Sequence, residues 1–151
     1  MDSPSYSERA IAARREFAAH SSAIGISEEF IDQLVETFYG RIRADATLGP
    51  IFEMAIADRW PVHLAKMKDF WSSIAFVNGR YSGKPMQAHA KLLPALQPGH
   101  FAIWLRLFRE TVEEIAPTDE ARAFFIERSE RIAESLKLGL FYRPGQAAPK
   151  A

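Results

Sequence analysis

The sequence contains no cysteine, and this absence excludes several classes of site. Disulfide scaffolds, thiolate nucleophiles, iron–sulfur clusters, Cys-ligated zinc and haem attached through thioether bonds all require cysteine. A metal bound by this chain must therefore use His, Asp, Glu or Tyr side chains. The sequence also lacks any run of about 18 apolar residues, so it offers no candidate membrane span.

Neither sign of charge is in excess, because Lys plus Arg and Asp plus Glu both number 19. Without surplus positive charge there is little to release counterions from nucleic acid, so nucleic acid is not an expected partner. The N-terminal segment MDSPSYSERAIAARREF is polar and lacks the basic segment and apolar stretch of a secretory signal. These observations predict a cytoplasmic protein that binds neither membranes nor nucleic acid.

The 151 residues are 48% hydrophobic and 12% aromatic, which predicts one domain with a single core. Four long stretches place their apolar residues at helical spacing, and no stretch shows the alternation of a strand. The four faces are Phe30, Leu34, Phe38 and Ile42; His63, Met67, Phe70, Trp71 and Ile74; Phe101, Trp104, Leu105, Phe108, Val112 and Ile115; and Phe124, Phe125, Ile132, Leu136 and Leu140. The fold class is therefore predicted to be all-α, with four principal helices.

The ends of the helices are predicted from caps and breakers. Ser27 and Thr118 precede helical patterns and can accept hydrogen bonds from free backbone N–H groups. The pair at 49–50, Gly-Pro, is expected to break the chain before a short apolar turn, and the pair at 78–79, Asn-Gly, is expected to end the second long helix. A weaker helix over 7–20 precedes these elements, and Pro85 opens a short helix.

Searches for catalytic motifs return nothing. The segment GRYSGKP has too short a spacing for a phosphate loop, and Pro85 stands where Ser or Thr would bind magnesium. The sequence has no H-E-x-x-H, no Glu-x-x-His pair and no G-x-S-x-G. Zinc peptidases, di-iron bundles and serine-triad hydrolases therefore have no support.

The four histidines fall into two groups. His20 and His100 lie near helix ends and are interpreted as surface residues, whereas His63 and His89 interrupt apolar helical faces. Each of the latter, taken singly, is also compatible with a hydrogen-bonded core histidine. Together with Tyr39 on a third helix, they match what a noncovalent haem pocket requires: apolar walls, an imidazole on one side of the iron and hydrogen-bond donors on the other.

Five segments in order then resemble a known family, the truncated haemoglobins, and within it group III, the bacterial P-type branch. The segments are Phe38-Tyr39, LGPIF (48–52), HLAKMKDFW (63–71), YSGKPMQAH (81–89) and FAIWLRLF (101–108). The resemblance implies a two-over-two helical sandwich around haem. It covers 27–142, which leaves 1–26 as a partly helical N-terminal extension and 143–151 as a flexible tail.

The resemblance also implies roles for individual residues. His89 corresponds to the proximal iron ligand, and Tyr39, His63 and Trp104 correspond to the distal residues that stabilise a bound ligand. Lys66 is placed to reach a haem propionate, or it is a solvated helix lysine. The remaining expected haem contacts are Phe38, Phe52, Met67, Phe70, Trp71, Tyr81 and Leu92, several of which are alternatively plain core.

The function implied is that of a haem protein carrying noncovalent haem b, iron protoporphyrin IX, with O2, NO, CO or cyanide as ligands. Redox chemistry of O2, NO or peroxide is favoured, as in a nitric oxide dioxygenase or a peroxidase-like enzyme, with a separate reductase as partner because no flavin or nicotinamide motif is present. The alternatives are oxygen storage, transport or sensing without catalysis, and a haem-free helical interaction domain. A Soret band distinguishes the last alternative from the others.

Overall fold

A computed structural model describes residues 3–92 and 95–142; the tail predicted at 143–151 lies outside the described residues. The described residues form α-helices and no strand, which confirms the predicted fold class. The helices are α1 (Tyr6–Ala23), α2 (Glu28–Ala44), α3 (Leu48–Ile56), α4 (Trp60–Phe76), α5 (Pro85–Ala90), α6 (Pro98–Ile115) and α7 (Asp119–Phe141).

Two helix pairs make up the body of the fold. Helix α2 packs against α4, α6 packs against α7, and the pairs meet where α2 contacts α6. Phe38, Phe108 and Phe125 are fully buried at this junction, and truncating a phenylalanine in such a core costs about 3 to 5 kcal/mol. The short helices lie at the edges, α3 against α2 and α5 against α7.

The predicted helix caps are present. The Ser27 hydroxyl accepts from the Phe30 N–H at 3.1 Å, and the Thr118 hydroxyl accepts from the Ala121 N–H at 3.0 Å. Each hydroxyl satisfies one of the N–H groups that a helix start leaves unpaired. The weak first helix is longer than predicted, and it is fixed to α4 by the Ser21 hydroxyl, which donates to the Ala75 carbonyl at 2.6 Å.

The break expected at Gly49-Pro50 is wrong, because both residues lie in the first turn of α3. The first N–H groups of a helix have no intrahelical partner, so proline loses nothing there. Asp45 supplies the cap instead, its carboxylate accepting from the Leu48 N–H at 2.8 Å. Gly49 is needed for close approach, since a Cβ there would lie 2.7 Å from the Arg43 carbonyl oxygen.

Helix α4 ends at Phe76, just before the Asn-Gly pair that the sequence predicts as its stop. Its C-cap is Val77, which adopts a left-handed conformation at φ 51°, uncommon for a β-branched residue. Asn78 acts through its side chain: its amide donates to the Ser72 hydroxyl at 2.8 Å, and its carbonyl oxygen accepts from the Arg80 N–H at 3.1 Å. These bonds hold the chain that leads toward α5.

The buried face of α7 differs in part from the predicted one. Phe125 is buried as expected, but Phe124, Ile132, Leu136 and Leu140 lie half-buried on the flanks. The fully covered stripe recurs every four residues and consists of Ala121, Phe125, Ser129, Ala133 and Lys137. Small side chains at a helix contact leave room for the neighbouring helix, and a search for large apolar residues passes over them.

Among the described residues, no helix combines the length and the apolar character needed to cross a membrane.

Candidate functional site

Tyr39 lies at the centre of an aromatic cluster formed by three helices. Only 6% of its surface is exposed. Its ring centroid lies 5.0 Å from that of Phe38, 6.1 Å from Phe52, 6.2 Å from Trp60 and 5.0 Å from His63. Helices α2, α3 and α4 therefore bring together four residues predicted for one pocket, and they add Trp60.

The Tyr39 hydroxyl makes no hydrogen bond within residues 3–92 and 95–142. Burial, followed by repulsion from the Tyr81 phenolate, raises the pKa of Tyr39 well above its ordinary value. The side chain is therefore an uncharged O–H donor at neutral pH. Its partner must come from whatever occupies the space beside it.

His63 presents a second polar atom without a partner. Its Nε2 is buried and makes no hydrogen bond. Burial, then the charges of His89 and Lys66, lowers the pKa of His63 to about 4, so the ring is neutral at pH 7. An orphaned buried nitrogen costs about 1 to 3 kcal/mol. Such an atom indicates a position where a ligand, rather than the protein, completes the hydrogen bonding.

His89 lies on α5, near enough to His63 for a charge on His89 to lower the pKa of His63. The Nδ1 of His89 lies 2.7 Å from the Pro85 carbonyl oxygen. A carbonyl can only accept, so Nδ1 carries the proton and Nε2 keeps its lone pair. This is the arrangement in which a histidine is oriented by one nitrogen and binds a metal with the other.

Helix α5 is held near its N-terminal end. Met86 in its first turn rests on Gly139 of α7, where a Cβ would lie 2.2 Å from the methionine methyl carbon. Before the helix, the Tyr81 N–H donates to the Ser73 hydroxyl at 2.9 Å. The Tyr81 ring folds over Gly83, where a Cβ would lie 2.2 Å from the phenol oxygen. The glycine in the segment YSGKP thus has a steric basis.

The tryptophans of the predicted site occupy different places. Trp104 is half-buried, stacks on Phe108 at 5.4 Å and meets Phe38 edge-on at 5.2 Å. Trp71 is 3% exposed. Its ring also stacks on Phe108, at 5.0 Å, and lies 5.5 Å from the ring of Phe125. Trp104 thus borders the Tyr39 cluster through Phe38, whereas Trp71 lies in the core between helices.

The other predicted contacts are more scattered. Phe52, Met67 and Phe70 are partly buried against the main core, and Phe70 meets Tyr81 edge-on at 5.1 Å. Lys66 is exposed on α4. Leu92 packs into a separate small cluster around Leu96, Phe101 and Ala133. The predicted contacts that the structure does not bring to the Tyr39 cluster therefore include Leu92, Trp71 and Lys66.

Trp60 was not predicted from the sequence, although it touches two of the predicted residues. It is 5% exposed, and its ring lies 5.7 Å from that of His63 at 89°. The available signal was position, since Trp60 precedes His63 by three residues and so shares its helix face. The apolar face predicted for this helix begins at His63 and therefore leaves Trp60 out.

The chemistry of these residues fits a noncovalent haem. Two imidazoles on separate helices, His63 and His89, each keep Nε2 free of protein hydrogen bonds within the described residues. The aromatic rings of Tyr39 and Trp60 pack against His63 and supply part of the apolar enclosure that a porphyrin requires.

Comparison with known proteins identifies a similar sequence and a similar structure, and no family model. No protein-family model matches the chain. It is 36% identical over 123 residues to the Group 3 truncated hemoglobin ctb of Campylobacter jejuni, a match that covers 80% of this chain and 94% of that protein. The crystal structure of group III truncated hemoglobin from Campylobacter jejuni superposes with a TM-score of 0.73 at 34% identity, covering 80% of this chain and 96% of that one. The chain belongs to the group III truncated haemoglobins.

Proposed function

We propose that this globin binds one noncovalent haem b through His89 and uses the pocket beside Tyr39 for redox chemistry of O2, NO or peroxide. The observation that carries the proposal is the buried Nε2 of His63 on α4, which has no hydrogen-bond partner and lies near enough to His89 on α5 for a charge on His89 to lower the pKa of His63. Membership of the truncated haemoglobins supports it.

Bound haem supplies an iron centre that takes a diatomic ligand and exchanges electrons with it. His89 contributes the ligand nitrogen, and its bond to the Pro85 carbonyl fixes the ring and raises the basicity of Nε2. Lys66 contributes a cation for a haem propionate. Phe38, Phe52, Met67, Phe70 and Tyr81 exclude water and provide the apolar walls, whereas Trp71 lies in the core behind them and Leu92 lies in a separate cluster.

On the distal side, Tyr39, Trp104 and neutral His63 offer an O–H, an indole N–H and a ring nitrogen to a diatomic ligand. Two hydrogen bonds of about 1 to 1.5 kcal/mol each slow ligand escape by roughly 30-fold to 150-fold relative to an apolar pocket. Long retention gives a second reactant time to arrive, so it favours catalysis over delivery. Nitric oxide dioxygenation and peroxidase-like chemistry both meet this condition, with a separate reductase as the source of electrons.

The test of haem binding compares two histidine variants. The wild type is expected to show a Soret band with one haem per chain. His89→Gly should lose most of its haem, and free imidazole should partly restore the spectrum, whereas His20→Gly on exposed α1 should leave the spectrum unchanged. A His89→Gly protein with normal spectrum and stoichiometry would refute the proximal assignment.

The test of the reaction is a single turnover. The oxygenated ferrous protein is mixed with nitric oxide, and nitrate is measured as the product that combines NO, both oxygen atoms and one electron from the iron. Stoichiometric nitrate supports the dioxygenase role, and rapid oxidation of ferrous protein by peroxide supports the peroxidase-like role. Rapid oxygen release without either reaction would favour storage or transport.

A further inference from the structure

We propose that Trp60 is a positioning residue of the distal pocket, held in place by the Arg43–Glu53 ion pair and acting through the rings of Tyr39 and His63. The inference rests on the proposed function of the pocket, and it assigns to three residues outside the predicted site the task of fixing the distal donors.

The anchoring of Trp60 is specific. Its indole Nε1 donates to Glu53 Oε1 at 3.1 Å, and the same oxygen accepts from Arg43 Nε at 2.9 Å. The Arg43 guanidinium also lies over the indole, 4.4 Å from its centroid. One carboxylate oxygen therefore fixes both the rotation of the ring and the cation that covers it.

Arg43 and Trp60 lie one helical turn from Tyr39 and His63, on the same two helices. Arg43 follows Tyr39 by four residues on α2, and Trp60 precedes His63 by three on α4, so each pair shares a helix face. Tyr39 and His63 meet at 5.0 Å in the inner layer, and Arg43 and Trp60 meet at 4.4 Å in the outer one. Glu53 ties both to α3. Any rotation of the outer indole must therefore move the inner rings.

The Trp60 indole needs such an anchor because one of its sides borders a surface cleft. Arg43, Trp60, Leu64 and Lys68 border a surface cleft of about 430 Å³. On that side the ring is held by the guanidinium, while its other neighbours are the edges of Tyr39 and His63. The anchor therefore decides how far both pocket rings can tilt.

The backbone leading into α4 carries strain that points the same way. Ala57, between α3 and α4, adopts φ 54° and ψ −113°, outside the regions that an L-residue prefers. Such a conformation persists only where the surroundings over-determine it. The Glu53–Trp60 bond spans this corner, joining the helix before it to the helix after it. The corner and the anchor together set the start of α4, and with it His63.

An exposed ion pair adds little to stability by itself, because its charges remain solvated. Arg43 and Glu53 keep 47% and 45% of their side-chain surface exposed. A positioning role therefore predicts a large effect on the pocket and a small one on folding. The Glu36–Lys68 pair provides the matched control, since it joins α2 to α4 at 2.9 Å, as Arg43–Glu53 joins α2 to α3, and is comparably exposed, but it makes no hydrogen bond to Trp60.

The experiment compares haem-loaded Glu53→Ala and Glu36→Ala with the wild type. The infrared stretching band of the carbon monoxide complex reports the polarity around the ligand, stopped-flow gives oxygen release, and thermal unfolding gives stability. Glu53→Ala should shift or split the band and release oxygen about threefold faster, short of the roughly tenfold expected for loss of a whole hydrogen bond. Glu36→Ala should resemble the wild type in band and rate.

Two further variants keep the proposal decidable if Glu53→Ala folds poorly. Glu53→Gln retains an oxygen acceptor for the indole N–H and should restore the wild-type band, whereas Trp60→Phe lacks the donor and should behave like Glu53→Ala. Bands that coincide with the wild type in haem-loaded Glu53→Ala and Trp60→Phe would overturn the proposal. Coinciding bands would leave the proposed function intact. The proposed function fails only if the wild type binds no haem or no diatomic ligand.

Discussion

Replacing Tyr39 by Phe should speed oxygen release with little effect on stability. The substitution removes one hydroxyl and keeps a ring that packs against Phe38, Phe52, Trp60 and His63. Within the described residues that hydroxyl makes no hydrogen bond, although only 6% of the residue is exposed. The loss of the hydroxyl therefore leaves no described protein group unpaired.

The magnitudes follow from this geometry. A substitution that breaks no protein hydrogen bond and keeps the ring in place has little effect on folding. Tyr39→Phe should therefore not lower the free energy of unfolding by more than about 1 kcal/mol. A hydrogen bond of about 1.4 kcal/mol to bound oxygen is lost at the same time, which corresponds to about tenfold faster oxygen release.

The assay is stopped-flow displacement of oxygen by excess carbon monoxide, paired with guanidinium chloride unfolding of the same proteins. Tyr6→Phe is the control, because Tyr6 is 80% exposed on α1 and should change neither quantity. A Tyr39→Phe protein with wild-type oxygen release and a stability lower by more than about 1 kcal/mol would show that the hydroxyl serves the fold and not the ligand.

Four other predictions concern Trp104, His63 and Gly49. Trp104→Phe should also speed oxygen release, and combined with Tyr39→Phe its effect should be less than additive if both donors share one acceptor; the double variant in stopped-flow decides this. His63→Leu should change carbon monoxide rebinding after flash photolysis more than it changes stability, and identical rebinding in both proteins would remove His63 from the ligand path. The folded-state pKa of His63, about 4, lies below the 6.5 of an unfolded histidine. Its contribution to stability is therefore complete above pH 6.5 and lost as the pH falls to about 4, by about 1 to 2 kcal/mol after allowance for partial exposure; denaturant midpoints at pH 7 and 4.5 should differ less in His63→Leu. Gly49→Ala should lower the free energy of unfolding by about 1 to 3 kcal/mol, since its Cβ would lie 2.7 Å from the Arg43 carbonyl oxygen, and an unchanged denaturant midpoint would show that the backbone there can yield.

The parts of the fold that the sequence predicts are those governed by local rules. Apolar periodicity locates α2, α4 and α6, because the same 3.6-residue spacing that defines a helix face also determines what is buried. Ser27 and Thr118 mark helix starts because a hydroxyl at that position satisfies an N–H that nothing else in the helix can reach.

The features that escaped prediction depend on neighbours distant in the sequence. Gly-Pro at 49–50 is a breaker by composition, but Asp45 caps α3 just before it and the glycine fits against a carbonyl of α2. The buried stripe of α7 contains Ala133 and Ser129, whose burial depends on how closely α6 approaches. At the end of α4, the left-handed conformation falls on Val77 and the Asn78 side chain bonds to Ser72, and helix propensities include neither feature.

The residues of the pocket also differ in whether the sequence predicts them. Tyr39, His63 and His89 can be identified from the sequence because each is a polar residue on an apolar helix face, a local anomaly with a chemical meaning. Trp60 cannot be identified in this way, since a tryptophan at the start of a helix is ordinary until Glu53 and Arg43 are seen to hold it. A polar group without a protein partner is unfavourable for the fold, so each such group is informative about ligands. A side chain that only orients another satisfies its own hydrogen bonds, and for that reason it leaves no trace in the sequence pattern.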